Sequence, residues 1–197
     1  MFCLMVLLSA SDSSRADGYT LLNSYSAYHV GNPHLSPKLP WAQKDFAPVA
    51  LITVATNVIA AHPSVPANTL PEFIAYLKKN PGKISYASQG NGSLAHIGTE
   101  MFKSVTGTSM VHIPYRGSGP AIQDVLSGQV QAFITTPPSV MGHVQAGKLK
   151  GFAVTGKTRH PGLPNVPTTA EAGLKGFELE AWVGIFAPAA TPPEVIT

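Results

Sequence analysis

Apolar residues follow two spacing patterns along this chain, and the change from one pattern to the other predicts where strands and helices lie. Short continuous apolar runs predict strands in the second half, over residues 84–87, 110–114, 130–135 and 149–155. Between these runs, apolar residues recur at every third or fourth position, which predicts helices over 93–106, 120–126 and 138–146. Because strand and helix alternate with short links, the second half predicts a parallel or mostly parallel α/β sheet.

The apolar run over 46–62 is too long for one ordinary strand. Asn57 interrupts it, so we expect either two strands or one strand that crosses between two lobes. After this run, Thr69 or Asn68 predicts the cap of a helix. Its apolar stripe consists of Leu70, Phe73, Ile74 and Leu77.

The remaining elements are predicted from shorter patterns. Residues 19–23 and 180–187 predict strands, and Thr168 or Thr169 predicts the cap of a short helix that ends at Ala172. The apolar segment over 1–10 is too short to span a membrane and lacks the basic start of a signal peptide. We therefore expect no convincing export signal here.

Composition narrows the function classes. The chain has 197 residues, a charged fraction of 12% and a net charge of +3, with its basic residues scattered. We expect no nucleic-acid partner, because neither a basic arm nor an aromatic and basic binding face is present. The single cysteine, Cys3, excludes an internal disulfide and a cysteine-based metal cluster.

The glycine turn, defined as residues 88–93, is the strongest candidate for a binding site. Gly90 and Gly92 permit a tight backbone turn, and Ser93 is a good cap for the helix that follows. A strand, a glycine turn and a helix N-terminus present free N–H groups and the positive end of a dipole, which suits an anion. The hydroxyl of Ser88 and the amide of Asn91 add possible donors. A plain connecting turn is the alternative.

A second corner, defined as residues 116–119, has the same design. Gly117 and Ser118 feed another helix, and Arg116 is either a solvated surface cation or a group that attracts the anion. A further candidate segment carries Ser26, Tyr28 and His29 just after the first strand, where open α/β sheets place ligands. An ordinary polar connection is the alternative for that segment.

Sequence patterns typical of catalytic and metal-binding sites are weak in this chain. The sequence has no Gly-x-Ser-x-Gly elbow and no His-x-x-x-His pair, and Gly92 of the glycine turn is followed by Ser93 without the lysine that a phosphate loop needs. We therefore expect no catalytic residues, no metal and no cofactor. The alternative from another class is a small-molecule enzyme that uses Ser88, His96 or His112. For His96 alone, a structural role and a role as a donor to ligand both stay open.

Several segments in the same order resemble the Bug family, the extracytoplasmic substrate-binding proteins of tripartite tricarboxylate transporters. The longest similar run is residues 81–93 followed by His96. The other segments that resemble the family are 17–22, 45–49, 112–118 with 120–121, 147–149 with 153–155, and 163–168 with 171–173. The resemblance as a whole extends over about residues 16–197.

The resemblance implies an α/β fold of the type II periplasmic-binding-protein kind, with two lobes, a hinge and an incomplete first lobe. Residues 17–59 and 183–197 would form lobe 1, residues 60–182 would form lobe 2, and residues 1–16 belong to neither. A small carboxylate would lie between the lobes and be passed to membrane transporter subunits, and the location would be periplasmic. The glycine turn and residues 116–118 would line one side of the pocket, and Ser26, Tyr28 and His29 the other.

Three departures from the family pattern shape these expectations. The expected loop before residue 17 and the helices after residue 197 are missing, so we expect a fragment of such a protein, truncated at both ends and marginally stable. Where many members carry an acid after the strand over 130–134, this chain has Thr135. A plain carboxylate or a neutral ligand is therefore expected, and Thr135 joins the candidate ligand-binding residues. A ligand-sensing domain is a further alternative.

Overall fold

The computed structural model describes residues 15–31, 33 and 38–196. The expectation for the N-terminal apolar segment falls almost wholly on residues outside this description. The chain divides into two units: unit 1 comprises Met1–Val54 and Trp182–Thr197, and unit 2 comprises Ala55–Ala181. The lobe boundaries predicted from the sequence lie after residues 59 and 182. That these units act as two lobes around a ligand stays a prediction.

Unit 2 is built on a five-stranded sheet with the strand order β5-β4-β6-β3-β7. Its strands are β3 (Val58–Ala61), β4 (Ser85–Ser88), β5 (Val111–Pro114), β6 (Ala132–Thr135) and β7 (Lys150–Val154). β4 runs parallel to β5 and to β6, whereas β3 runs antiparallel to both of its neighbours, β6 and β7. The sheet is therefore mostly parallel, as the sequence predicts, with one reversed strand.

The helices of unit 2 are α1 (Leu70–Lys79), α2 (Leu94–Thr106), α3 (Ser118–Leu126) and α4 (Pro137–Gln145). Local signals explain their limits. The Thr69 hydroxyl accepts the N–H of Glu72 at the start of α1, and Gly107 ends α2 with φ at 63°. None of the helices in the described part of the chain is long and apolar enough to cross a membrane.

Two apolar layers cover the two faces of this sheet. Because side chains alternate along a strand, Ile59 packs on one layer and its neighbour Ala60 on the other. The first layer includes Phe73 of α1 and Phe102 of α2. The second layer is completed by α3 and α4. The helices that follow β4 and β6 therefore lie on opposite faces.

Unit 1 contains a three-stranded sheet with the order β1-β8-β2. Its strands are β1 (Leu22–Tyr25), β2 (Phe46–Thr56) and β8 (Glu180–Pro188), of which β1 and β8 are antiparallel. A π-helical turn covers Ala27–Gly31, a 3₁₀ turn covers Gln43–Asp45 and a short helix, α5, covers Pro193–Ile196. Asn57 separates β2 from β3, so the predicted break in the long apolar run is confirmed.

Two predicted elements differ from the structure. The first strand begins three residues later than its pattern indicated, at Leu22. The predicted helix after Thr168 is a single hydrogen-bonded turn, in which Ala172 donates to the Thr168 carbonyl at 2.9 Å. Thr168 is held by a bridge to Val154, and Gly173 takes a φ of 91°, so the helical turn cannot extend in either direction.

Candidate functional site

The best-placed site lies where β4 and β6 end, side by side, in unit 2. α2 carries the chain from β4 to β5 on one side of this point, and α4 carries it from β6 to β7 on the other. Adjacent parallel strands whose connections diverge leave a crevice beyond their carboxyl ends, which is where open α/β sheets bind ligands. The glycine turn follows β4 directly, and Thr135 is the last residue of β6.

The Ser88 hydroxyl holds the glycine turn from inside. Its Oγ lies 2.6 Å from Nε2 of His112, accepts the Gly90 N–H at 3.2 Å and lies 3.2 Å from the Gly90 carbonyl. Ser88 has 0% of its surface exposed. Its side chain thus bonds within the turn and to His112, and its role in binding a ligand stays a prediction.

The start of α2 presents its first N–H groups next to this turn. The Ser93 hydroxyl accepts the His96 N–H at 3.3 Å, so the predicted cap is present. The first hydrogen bond of the helix runs from Ile97 to the Ser93 carbonyl at 3.0 Å. The N–H groups of Leu94 and Ala95 precede that bond, and they carry the positive end of the helix dipole.

The second corner is bonded to the glycine turn. Tyr115 donates its N–H to the Ser88 carbonyl at 3.0 Å, and Gly117 donates to the Gln89 carbonyl at 3.3 Å. A Cβ on Gly90, whose φ is 132°, would meet the Tyr115 carbonyl at 3.3 Å. The two corners therefore form one continuous surface, with the N-terminus of α3 beginning at Ser118.

Gln89 is a site residue that sequence reasoning missed. Its Nε2 donates to Oγ1 of the buried Thr135 at 2.9 Å, which spans the crevice between β4 and β6. Its position inside the glycine turn was the available signal. The bond itself could not be foreseen, because the two residues are 46 positions apart.

The third helix start at this edge differs from the other two. α4 begins with Pro137 and Pro138, which have no N–H to offer. Thr136 caps the helix without a side-chain hydrogen bond. Donors for an anion therefore come from α2 and α3.

His96 and His112 form an imidazole pair behind the glycine turn. Their rings stack with centroids 4.1 Å apart and planes 8° apart, and His112 stacks in turn on Tyr86 at 4.9 Å. Nδ1 of His96 accepts the Gly92 N–H at 3.2 Å. Burial lowers the pKa of His112, and the neighbouring His96 also lowers it. Both effects favour the neutral form of the His112 ring.

Glu100 and Lys103 lie beside this pair. Glu100 accepts the Tyr86 hydroxyl at 2.6 Å and Lys103 Nζ at 2.7 Å. Among the described residues, no carboxylate bonds to His112, so Ser88 and His112 lack the acid that completes a catalytic triad. The same described residues include no group of three or more His, Cys, Asp or Glu placed to hold a metal.

Asn91 and Arg116 are the exposed polar side chains of the two corners. Within the described part of the chain, neither side chain makes a hydrogen bond or an ion pair. Both side chains are therefore available to a ligand that lies beyond the carboxyl ends of the strands.

The predicted residues of the first lobe lie in unit 1 and are held by neighbours there. The His29 ring is buried, stacks on Phe186 at 4.2 Å and on Trp41 at 5.8 Å, and burial lowers its pKa. The Tyr28 hydroxyl accepts the Trp41 Nε1–H at 3.3 Å, and Ser26 is buried. In unit 1, His29 thus serves the aromatic core.

Comparison with known proteins places this arrangement in a family. The family described as the tripartite tricarboxylate transporter family receptor matches residues 5–197. The chain belongs to this receptor family. The resemblance stated from the sequence is therefore confirmed.

The chain is similar to curated proteins of this family and to solved structures. BugT of Bordetella pertussis is 38% identical over 189 residues, which cover 95% of this chain and 58% of BugT. A Rhodopseudomonas palustris protein solved with adipate has a TM-score of 0.86 and 32% identity, covering 98% of this chain and 64% of that one. MatC of the same organism, solved with bound malate, has a TM-score of 0.85 and 30% identity. The match covers 98% of this chain and 66% of MatC.

These likenesses confirm the predicted α/β periplasmic-binding-protein fold. Relatives of the receptor family are described as periplasmic, including a periplasmic transporter structure that is 40% identical with a TM-score of 0.87. The chain spans about three fifths of the length of the curated relatives it matches.

Proposed function

We propose that unit 2 binds a small carboxylate in the crevice beyond the carboxyl ends of β4 and β6. The observation that carries this proposal is the pair of glycine corners, bonded to each other, that present the N-termini of α2 and α3 beside one crevice. Adjacent helix N-termini suit an anion because their N–H groups and dipoles both favour negative charge.

The affinity expected from such a site is moderate. A hydrogen bond to a charged group contributes about 1.5–3 kcal/mol, and a helix dipole adds about 0.3–1 kcal/mol. Several such contacts, after the cost of association, reach micromolar binding, which corresponds to about −8 kcal/mol. The N–H groups of Leu94 and Ala95 would donate to the ligand, and Asn91 and Arg116 would add side-chain contacts.

The relatives support a carboxylate as the ligand class. Two proteins that share the fold and about a third of the sequence were solved with adipate and with malate. We propose that this protein delivers the ligand to the membrane subunits of a tripartite tricarboxylate transporter, outside the cytoplasm. No catalytic step is proposed, because the Ser88 hydroxyl is enclosed and its His112 partner lacks an acid.

Calorimetry with matched ligands tests the proposal. We expect adipate, malate or another small di- or tricarboxylate to bind, while adipamide, the uncharged analogue of adipate, gives no heat. Arg116→Ala should weaken binding by up to about fivefold, the range of an exposed ion pair. Lys148→Ala removes an exposed cation from the turn before β7, at the opposite edge of the sheet, and should change affinity little.

The result that would overturn the proposal is equally concrete. A chain that is folded by circular dichroism and gives no heat with any carboxylate does not have this function. Equal binding of adipate and adipamide would also contradict it, because the site would then not read the negative charge.

A further inference from the structure

The imidazole pair touches the glycine turn, yet neither ring is needed to explain a carboxylate on the helix N-termini. His96 reaches forward from the first turn of α2, and its Nδ1 accepts the Gly92 N–H at 3.2 Å. His112 reaches across from β5, and its Nε2 lies 2.6 Å from the Ser88 hydroxyl. The two stacked rings therefore hold the two ends of the turn.

The hydrogen bond to Gly92 fixes the protonation state of His96. An imidazole nitrogen can accept a hydrogen bond only when it carries no proton, so the neutral ring has its proton on Nε2. A second proton can then enter only at Nδ1. Its arrival sets an N–H against the N–H of Gly92, and the hydrogen bond is lost.

His112 responds differently to a proton. When Nε2 is protonated, it can donate to the Ser88 hydroxyl, which can turn its own proton to the Gly90 carbonyl 3.2 Å away. The hold on Ser88 thus survives with the donor and acceptor exchanged. His96 is the ring whose charge state changes the shape of the turn.

We propose that neutral His96 is a positioning residue for the glycine turn, so that protonation of His96 releases Gly92 and weakens ligand binding. This inference rests on the proposed carboxylate site. His96 acts through Gly92, whose backbone forms the turn, rather than by contact with the ligand.

The groups that face the imidazole pair are few. Tyr86 of β4 stacks on His112, and on α2 Glu100 and Lys103 form an ion pair with each other at 2.7 Å. The Glu100 charge raises the pKa of His112, whereas the Lys103 charge lowers it. The His96 ring, whose centroid lies 4.1 Å from that of His112, lowers the pKa of His112 by charge repulsion.

The first experiment needs no ligand. We expect the Gly92 amide signal in a ¹H–¹⁵N spectrum to move upfield as the pH is lowered from about 8 to about 5.5. In His96→Asn the side-chain oxygen takes the place of Nδ1 as an acceptor that does not titrate. The Gly92 signal of this variant should stay in place over the same range.

The second experiment measures adipate affinity over the same range of pH. Linkage of one proton predicts a loss of up to about tenfold per pH unit in the wild-type chain. His96→Asn should keep its affinity, apart from the smaller loss caused by protonation of adipate itself. His160→Asn is the matched control, because Nδ1 of His160 also accepts a glycine N–H, that of Gly162 at 3.1 Å, away from the glycine turn. It should retain the full pH dependence.

The two experiments separate the possible failures. A Gly92 signal that does not respond to pH in the wild-type chain overturns the role of His96, whether or not adipate binds. An equally steep loss of affinity in His96→Asn and in the wild type also overturns it. If adipate fails to bind at every pH while Gly92 titrates as expected, the carboxylate site is wrong and the action of His96 on the turn stands.

Discussion

Ser93 shows how one side chain can join fold and site. Its hydroxyl accepts the N–H of His96, and its carbonyl accepts that of Ile97 at 3.0 Å. The same cap that begins α2 therefore leaves the N–H groups of Leu94 and Ala95 directed out of the helix. A change at this position acts on stability and on the binding surface together.

Ser93→Ala should lower the free energy of unfolding by about 0.5–2 kcal/mol, the usual effect of losing such a cap. Urea titration followed by circular dichroism measures it. Ser104→Ala makes the same substitution at an exposed position within α2 and should leave stability unchanged or slightly raised, because alanine is the better helix former. Equal effects of the two substitutions would mean that the cap contributes nothing.

At the scale of residues, the sequence predicts what depends on near neighbours. The cap at Ser93 and the helix end at Gly107 follow from local chemistry. The contacts from Ser88 to His112 and from Gln89 to Thr135 join residues 24 and 46 positions apart, and only the sheet order brings them together. The prediction that the thirteen candidate residues bind ligand stays open to the calorimetry above.

Asn57 organises the junction between three elements. This residue is buried, donates its backbone N–H to Thr155 Oγ1 at 2.8 Å and donates its side-chain amide to the Leu179 carbonyl at 3.0 Å. It thereby ties the start of β3 to the end of β7 and to the segment that leads into β8. The residue predicted as a strand break is thus also a clamp.

Asn57→Ala should lower the free energy of unfolding of unit 2 by about 1–3 kcal/mol, because a buried amide contact is lost. Asn165→Ala removes an exposed amide from the connection after β7 and serves as the control, with an expected change within about 0.5 kcal/mol. Chemical denaturation monitored by circular dichroism compares the two. Similar stability of both variants would show that the clamp is dispensable.

At the scale of elements, the periodic patterns predict α1 to α4 and the strands between them because each has an apolar face to bury. The helix expected after Thr168 is wrong for a tertiary reason, since the bridge to Val154 holds that residue in extended pairing. A mostly parallel sheet follows from alternating elements. The reversal of β3 does not, because only pairing with β6 and β7 shows its direction.

At the scale of the whole molecule, the two units bury unequal numbers of apolar side chains. Unit 2 buries two large apolar layers, whereas the described core of unit 1 consists of Leu22, Trp41, Phe46 and Phe186 with a few partly buried neighbours. On β2, Leu51 is 66% exposed and Ile52 is 57% exposed. Because burial of apolar area is the main stabilising contribution, unit 1 should be the less stable unit.

We expect unfolding in two steps, with unit 1 first. Both tryptophans of the chain, Trp41 and Trp182, lie in unit 1, whereas α1 to α4 lie in unit 2. Tryptophan fluorescence should therefore change at a lower urea concentration than the helical circular dichroism signal. Trp41→Phe, which leaves Trp182 as the single reporter, should show the same early transition. Coincident transitions by the two probes would show instead that the units unfold together.

The Asn57 clamp also defines unit 2 as an inserted domain. The chain enters this unit just before Asn57 and leaves just after Leu179, and the two residues are joined by a hydrogen bond of 3.0 Å. A domain whose first and last residues lie side by side can be replaced by a homologous domain without changing the path of the rest of the chain. We therefore expect that unit 2, with the residues proposed to bind the carboxylate, can be exchanged among relatives as one segment of chain.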